Sequence, residues 1–230
     1  AFPLDLAVHR MTAIEKGDTL IHANHVRLNV KLLPLFQGRA DIEGVEVYGL
    51  KLDTKSYISD THIVGTAEEL TASAHGVDWQ KEIVNVNHVK LRNADVNVVL
   101  SDTAQKDTTQ SKAKWNIGVA KADIENSKVH LQMPGDSMRI FANIGKAALR
   151  GGIFDIGKNY YAVKRFNLQR SAANYDLPYI PPVSGMDVNH LALTHLSARI
   201  DTLSYNADGV LRVGVRNLTL KEKCGLHVTH

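Results

Sequence analysis

Apolar and polar residues alternate with a period of two along most of this chain. The segment HVRLNVKL places four apolar side chains on one side of an extended backbone: Val26, Leu28, Val30 and Leu32. Because successive side chains of a β-strand point to opposite faces, this pattern predicts a half-buried strand. The same alternation recurs at 4–8, 45–47, 96–100, 129–133 and 211–215. The sequence therefore predicts a series of amphipathic strands that share one apolar face.

Two repeated patterns indicate how these strands follow one another. The motif Asn-His-apolar-x-Leu begins at Asn24, Asn87 and Asn189, and we interpret it as structural, at a bulge or at the start of a strand. A looser pattern of strand, bend and strand recurs as VKLRNADVNV, ADIENSKVHL, AALRGGIFDI and LTLKEKCGLHV. Small residues at the bends suit a bulge or a sheet corner: Ala94, Ser127, Gly152 and Cys224. The repeats predict an all-β meander of bent strands.

Three stretches depart from the alternation. It fails from Ser59 to Glu82, where AEELTASA at 67–74 has the composition of a short helix but too thin an apolar face to decide. The run at 101–114 has almost nothing apolar to bury and is expected to form a solvated loop or a mobile hairpin tip. The prolines of DLPYIPPVSG remove backbone donors, so this stretch cannot be a central strand. We therefore expect a first section at 1–177, a Pro-rich connector at 178–185 and a continuation of the same structure at 186–230.

Composition and charge limit the partners and the cellular compartments that the sequence is compatible with. A net charge of +3 without any basic block argues against nucleic acid as a partner. A single cysteine, Cys224, forbids an intrachain disulfide and leaves the redox compartment undetermined. The sequence has no apolar run of about 18 residues and no basic-then-apolar order at its beginning. We expect a soluble part of a longer protein.

The sequence contains residue types that can bind metals or act in catalysis, but their spacing favours neither role. His22 and His25 are three apart, which places them on opposite faces of a strand, so we predict no metal site. Cys224 lacks a nearby histidine pattern and a Cys-x-x-Cys partner, and is interpreted as a small buried residue. Neither a G-x-S-x-G elbow nor a phosphate-binding loop occurs. The sequence predicts a protein that is not an enzyme and that needs no cofactor.

The stretch from Gly17 to Leu52 resembles the N-terminal signature of the AsmA/TamB superfamily. In it a strand ends in LLPL at 32–35, and a turn at 37–39 leads into a further strand that begins with IEGV at 42–45. The later bends, such as LRNADV at 91–96, are similar to the tandem β units of that family. The resemblance covers most of the chain, and the first stretch is its distinctive part. It implies an inner-membrane-anchored protein of a diderm bacterium, in which an N-terminal helix precedes a long periplasmic β structure curled into a groove.

The resemblance also implies a function. Family members are linked to phospholipid movement between the two membranes and, for TamB, to the assembly of outer-membrane proteins with a barrel partner; the branch stays open. We expect an elongated, mostly antiparallel, β-taco-like groove with an apolar inner face. Its expected partners are phospholipid acyl chains, the inner membrane through that N-terminal helix, and an outer-membrane barrel protein. The expected lining residues are Val26, Leu28, Val30, Leu32, Val47, Val89, Leu91, Val96, Val98, Leu191 and Leu193.

Two other readings compete with a lipid groove. A protein-interaction scaffold would use its exposed strand edges to pair with unfolded outer-membrane strands or with a neighbouring segment. A β-helical, carbohydrate-active enzyme would need paired carboxylates on one strand face, and the sequence shows no convincing pair.

Overall fold

The structure, a computed structural model, describes residues 3–31, 39–55, 61–78, 81–100, 115–133, 135 and 137–229. Every regular element in this part of the chain is a β-strand. The eleven strands are β1 (Pro3–Glu15), β2 (Asp18–Lys31), β3 (Arg39–Asp53), β4 (Thr61–Asp78), β5 (Ile83–Leu100), β6 (Asn116–Met133), β7 (Met138–Asp155), β8 (Tyr160–Asp176), β9 (His190–Tyr205), β10 (Leu211–Glu222) and β11 (His227–Thr229). The predicted all-β fold is confirmed.

All eleven strands belong to one sheet, in which each strand pairs with its neighbours in the chain. The pairing is antiparallel throughout, except that β5 and β6 run parallel with Ile83 opposite Asn116. Leu100 and Asn116 therefore lie at opposite rims of the sheet, and the expected loop at 101–114 lies outside the described residues. The sheet is not closed, since β1 and β11 lie at its two edges. The molecule is an elongated meander that forms an open groove.

The structure settles the assignment of residues 67–74, which the sequence left open. Residues 67–74, where a helix was one of two alternatives, lie in the middle of strand β4. Leu70 pairs with Val47 on one side and with Leu91 on the other, and Ala72 pairs with Val45 and Val89. These cross-strand contacts override the local preference of alanine and glutamate for helix, because strand formation depends mainly on neighbours in the sheet.

The sheet bends along a line that crosses its strands near their middle, at Asn93 and Ala94 in β5 and at Asn126 and Ser127 in β6. We call this line the crease. Two apolar residues flank it five positions apart in the chain, as Leu91 and Val96 do in β5, and both contribute to the same face. An odd spacing would place them on opposite faces of a regular strand, so each strand must contain a bulge between them. Five non-glycine residues there have φ between 48° and 55°: Arg10, Asn93, Asn126, Arg170 and His195. In β3 the position is taken by Gly49, where a Cβ atom would collide with the side chain of Asn24.

Small side chains fill the crease. Ala23, Ala94 and Ser127 are 0%, 3% and 1% exposed, respectively. Serine hydroxyls there accept hydrogen bonds from the bulged backbone of the preceding strand, at 3.2 Å from Ala94 N to Ser127 Oγ, 3.2 Å from Gly145 N to Ser171 Oγ and 3.3 Å from Arg170 N to Ser197 Oγ. The prediction of small residues at bends is confirmed at Ala94 and Ser127. Cys224 also lies at a turn, between β10 and β11, but its interpretation as a buried residue is wrong: it is exposed, because the three-residue strand β11 leaves this turn at the edge of the sheet.

Two of the three Asn-His motifs occupy the places expected of them, at a bulge and at the start of a strand, whereas Asn24 and His25 lie inside β2. Ser73 pairs with His88 and Ala74 with Val86, so Asn87 is the extra residue of a bulge in β5. His190 is the first residue of β9. The Pro-rich connector runs from Leu177 to Asn189 and joins β8 to β9, which are direct neighbours in the sheet. It therefore joins two strands of one continuous sheet.

Candidate functional site

The candidate site is the inner face of the groove, where apolar residues form four rows across the sheet. We call these the inner rows, and each follows the register from strand to strand. On one side of the crease the first row is Leu6, Leu28, Val45, Ala72, Val89, Ala122, Leu149, Phe166, Ile200 and Val215. The second is Val8, Val26, Val47, Leu70, Leu91, Ile124, Ala147, Leu168, Ala198 and Leu218. Both rows cross ten strands without a polar residue.

Two further inner rows lie on the other side of the crease. The third row is Ala13, Ile21, Leu52, Gly65, Val96, Val129, Ala142, Ala173 and Leu193. The fourth is Ile63, Val98, Leu131, Ile140, Tyr175 and Leu191. With adjacent strands about 4.8 Å apart, the two longest rows extend for roughly 43 Å along the groove.

The structure brings most of the predicted lining residues together on this face. Nine of the eleven belong to the inner rows: Val26, Leu28, Val47, Val89, Leu91, Val96, Val98, Leu191 and Leu193. Val30 is two residues from Leu28 on the same face of β2 and is 8% exposed. Leu32 lies outside the described residues. Whether these side chains contact lipid stays a prediction.

The inner face has no covering layer among the described strands, since all of them belong to the one sheet. The apolar side chains that are buried in this part of the chain are small: Ala23, Val30, Val47, Ala67, Val77, Ala94, Ala147 and Val163. The leucines, isoleucines and phenylalanine of the inner rows stay at least partly exposed. The chain has 14641 Å² of accessible surface, whereas about 10,000 Å² is typical of a compact monomer of 25.3 kDa. An apolar surface of this extent, open to solvent, is typical of a binding site.

The outer face, in contrast, carries many charged side chains, and several of them pair across strands. Glu69 binds both Lys90 and Arg92, at 3.0 Å and 2.9 Å. On the first two strands Arg27 and Asp5 form a salt bridge of 2.8 Å. Such cross-strand pairs stabilise a water-facing sheet surface modestly. The two faces therefore differ in composition: the outer face is polar and charged, as suits contact with water, whereas the inner face is apolar.

Asp123 is the centre of a four-residue charge cluster on the outer face. Arg150, Lys121 and His88 lie 2.9 Å, 3.1 Å and 2.9 Å from its carboxylate oxygens. Burial alone would raise the pKa of Asp123, but the hydrogen bonds from Arg150, Lys121 and His88 outweigh it and lower the pKa to about 2. The carboxylate is charged at neutral pH and bound by three donors, which suits a structural role better than acid or base catalysis.

Sequence reasoning missed several members of the inner rows. Ala72, Ala122 and Ala142 are too small to be noticed as lining residues, and Phe166 lies in a segment that shows no clean alternation. The signal that could have found them is the five-residue spacing, which recurs in β8 as Leu168 and Ala173. The spacing indicates two residues on the same face only when the position of the crease is known.

The described residues contain no group of three or more His, Cys, Asp or Glu side chains that could hold a metal ion. Nor does this part of the chain contain a helix long and apolar enough to cross a bilayer.

Comparison with known proteins adds no family assignment. No protein-family model matches the chain, and no curated protein shows significant similarity to it. The functional argument therefore depends on the inner and outer faces of the sheet.

Proposed function

We propose that this chain is a non-catalytic, periplasmic segment of an AsmA/TamB-like protein that shields phospholipid acyl chains in its groove as they move between the inner and outer membranes. The observation that supports this most directly is the uninterrupted apolar character of the first two inner rows across ten strands, combined with their exposure. A soluble protein gains nothing from leaving such a surface in water, so the surface is expected to have an apolar ligand.

Energy and dimensions are both adequate for an acyl chain. A saturated chain of about sixteen carbons leaving water gains on the order of 12 kcal/mol, at about 0.8 kcal/mol per buried CH₂. The inner rows extend for roughly 43 Å, and one bilayer leaflet contributes about 15 Å of hydrocarbon. A lining of Val, Leu, Ile and Ala suffices for such a ligand, and no specific polar site is required.

Two adjacent residues of β8 provide a matched test. Leu168 belongs to the second inner row, whereas Gln169 points to the outer face opposite Lys146 and is exposed. We expect Leu168→Asp to weaken binding of a fluorescent fatty acid, cis-parinaric acid, at least tenfold, because an ionised carboxylate on an apolar surface costs several kcal/mol. Gln169→Asp should bind within about twofold of the unmodified chain, since its side chain already faces water.

Folding must be verified for both variants by circular dichroism and thermal melting. If Leu168→Asp loses its sheet, the pair Leu168→Ser and Gln169→Ser repeats the comparison with uncharged side chains. Equal affinity in two folded variants would show that the inner face does not bind acyl chains, and the proposal would fail.

The open edge of β10 favours a second candidate, a scaffold for unfolded outer-membrane strands. β11 pairs with β10 only from Thr219 to Lys221, so the stretch from Leu211 to Leu218 has no described strand on that side. Its apolar side chains Leu211, Val213 and Val215 are exposed. Native mass spectrometry after extraction separates the two candidates: retained phospholipid supports the groove, and a lipid-free chain that captures β-strand peptides supports the scaffold.

A further inference from the structure

The connector between β8 and β9 carries a dense group of exposed apolar side chains. Tyr179, Val183, Met186 and Val188 are 64%, 63%, 57% and 61% exposed. Turns elsewhere in the described sheet join paired strands over a few residues, as at 156–159 between β7 and β8. The connector spans residues 177–189 and projects these side chains beyond the rim of the groove.

The backbone of the connector is held in place by side-chain contacts. Asp187 accepts hydrogen bonds from the N–H groups of Val183 and Asn189 through its two carboxylate oxygens, at 2.9 Å and 3.0 Å. The ring of His190 lies 2.7 Å from Asp176 Oδ1 on one side and 2.7 Å from the carbonyl oxygen of Ile180 on the other. These contacts, together with two consecutive prolines, fix the loop in a conformation that presents its apolar side chains to the outside.

The apolar surface of the connector is continuous with the inner face of the groove. Leu177 and Tyr179 line one shallow depression together with Met138 and Tyr175. Tyr175 is a member of the fourth inner row, the one nearest this rim. A ligand that leaves the groove over this rim would therefore stay in contact with apolar side chains.

Basic side chains lie beside the connector. Arg139, Lys223 and His190 line a second depression at the same rim, together with Tyr175 and Leu191 of the fourth inner row. Within the described part of the chain, Arg139 and Lys223 take part in no ion pair. The nearby carboxylates are occupied, Asp176 by His190 and Asp187 by two backbone N–H groups. Asp176, the cross-strand partner of Arg139, is 41% exposed but already pairs with His190. The rim therefore offers two cations that are unpaired among the described residues, Arg139 and Lys223, whose nearest exposed carboxylate is engaged by another side chain.

We propose that this rim is a membrane-docking surface, in which the connector inserts Tyr179, Val183, Met186 and Val188 into a bilayer while Arg139 and Lys223 contact anionic headgroups. Apolar side chains combined with adjacent cations are the usual composition of an interfacial anchor, and a tyrosine ring suits the boundary between headgroups and acyl chains. The inference rests on the proposed function in that a groove for acyl chains must meet a bilayer along some part of its surface. It goes beyond that function by identifying the rim beside the connector as the part of the surface that meets the bilayer.

Vesicle flotation with the full 230-residue chain tests the proposal. The unmodified chain should float with vesicles of phosphatidylcholine that contain one third phosphatidylglycerol. The double variant Tyr179→Ser, Val183→Ser should reduce this partitioning at least about tenfold. The double variant Arg139→Gln, Lys223→Gln should weaken binding to these vesicles but not to pure phosphatidylcholine, because the headgroup attraction is electrostatic. Ile156→Ser, at an exposed apolar residue on the opposite rim, is the matched control and should bind as the unmodified chain does.

The docking proposal is overturned if the folded, unmodified chain does not float with either kind of vesicle, or if the connector variant floats as well as Ile156→Ser does. Binding of cis-parinaric acid without vesicles is the separate readout for the groove. The connector variant should retain that binding while losing flotation. A chain that floats but binds no fatty acid would contradict the proposed function and leave the docking surface in place.

Discussion

Ser127 Oγ accepts a hydrogen bond of 3.2 Å from the backbone N–H of Ala94, across the parallel pair of strands β5 and β6. The same hydroxyl donates a 2.9 Å hydrogen bond to the carbonyl oxygen of Glu125. Ala94 follows a residue with positive φ, Asn93, and the bulge there diverts its N–H from the regular ladder. The serine thus replaces a ladder hydrogen bond at the crease.

Replacing this serine should weaken the crease. Ser127→Ala removes the acceptor and leaves the buried N–H of Ala94 without a partner, which costs on the order of 1–3 kcal/mol. We expect a lower free energy of unfolding in urea, with an unchanged denaturant slope. Ser184→Ala, in the exposed part of the connector, is the control and should change stability little. Equal stability of the two variants would show that the Ser127 hydroxyl does not support the crease.

The Asp123 cluster should contribute to the free energy of unfolding near neutral pH and lose that contribution at low pH. The folded-state pKa of about 2 lies below the ordinary value of 3.8, so the contribution of the cluster is complete above about pH 4 and is lost as the pH falls through 2. Asp123→Asn should lower the free energy of unfolding by on the order of 1–2 kcal/mol near neutral pH. Thermal melts at decreasing pH should show the gap between the two proteins closing. Asp208→Asn, in the turn between β9 and β10, should melt as the unmodified chain does, and a gap for Asp123→Asn that persists in acid would contradict the assignment.

His190 should make the stability of the connector depend on pH in the opposite sense, so that the stabilisation is lost as the pH rises. Both ring nitrogens face acceptors at 2.7 Å, a carboxylate and a carbonyl, so the geometry requires both to be protonated. The hydrogen bond to Asp176 and the one to the Ile180 carbonyl raise the pKa of His190 above 6.5. Its contribution is therefore complete below about pH 6.5 and is lost as the pH rises through the raised value. Hydrogen exchange of the amides of Leu177 and Ile180, normalised to amides of β5, should accelerate over that range.

Two glutamine variants complete this experiment, one as the test and one as the control. His190→Gln should abolish the extra pH dependence of connector exchange, because glutamine does not titrate. His227→Gln, in β11, should preserve it. If exchange in the connector follows the same pH profile in all three proteins, His190 does not hold the loop.

Much of the fold follows from local patterning. The period-two alternation of β2 is a property of the sequence itself, because consecutive side chains of an extended chain must face opposite sides whatever the chain packs against. For the same reason most of the predicted lining residues share a face in the structure. The stretch at 67–74 could not be assigned from the sequence because its apolar partners, such as Val47 and Leu91, come from other strands.

The parallel pairing of β5 and β6 could not be predicted from the alternation, since a strand of either direction presents the same face. The crease is a similar case. The spacing from Leu91 to Val96 is visible in the sequence, but only the register shows that the same five-residue step recurs at one level in each strand from β1 to β9.

By itself, the sequence determined that this protein consists of amphipathic strands with one apolar face, because strand geometry links residue parity to side-chain direction. Only the tertiary structure decided that the apolar residues align into rows, that the rows stay open to solvent and that the connector presents its own apolar residues at one rim. Those features depend on which residues lie opposite one another across strands, and hydrogen-bonded register between distant segments is not encoded in any local pattern.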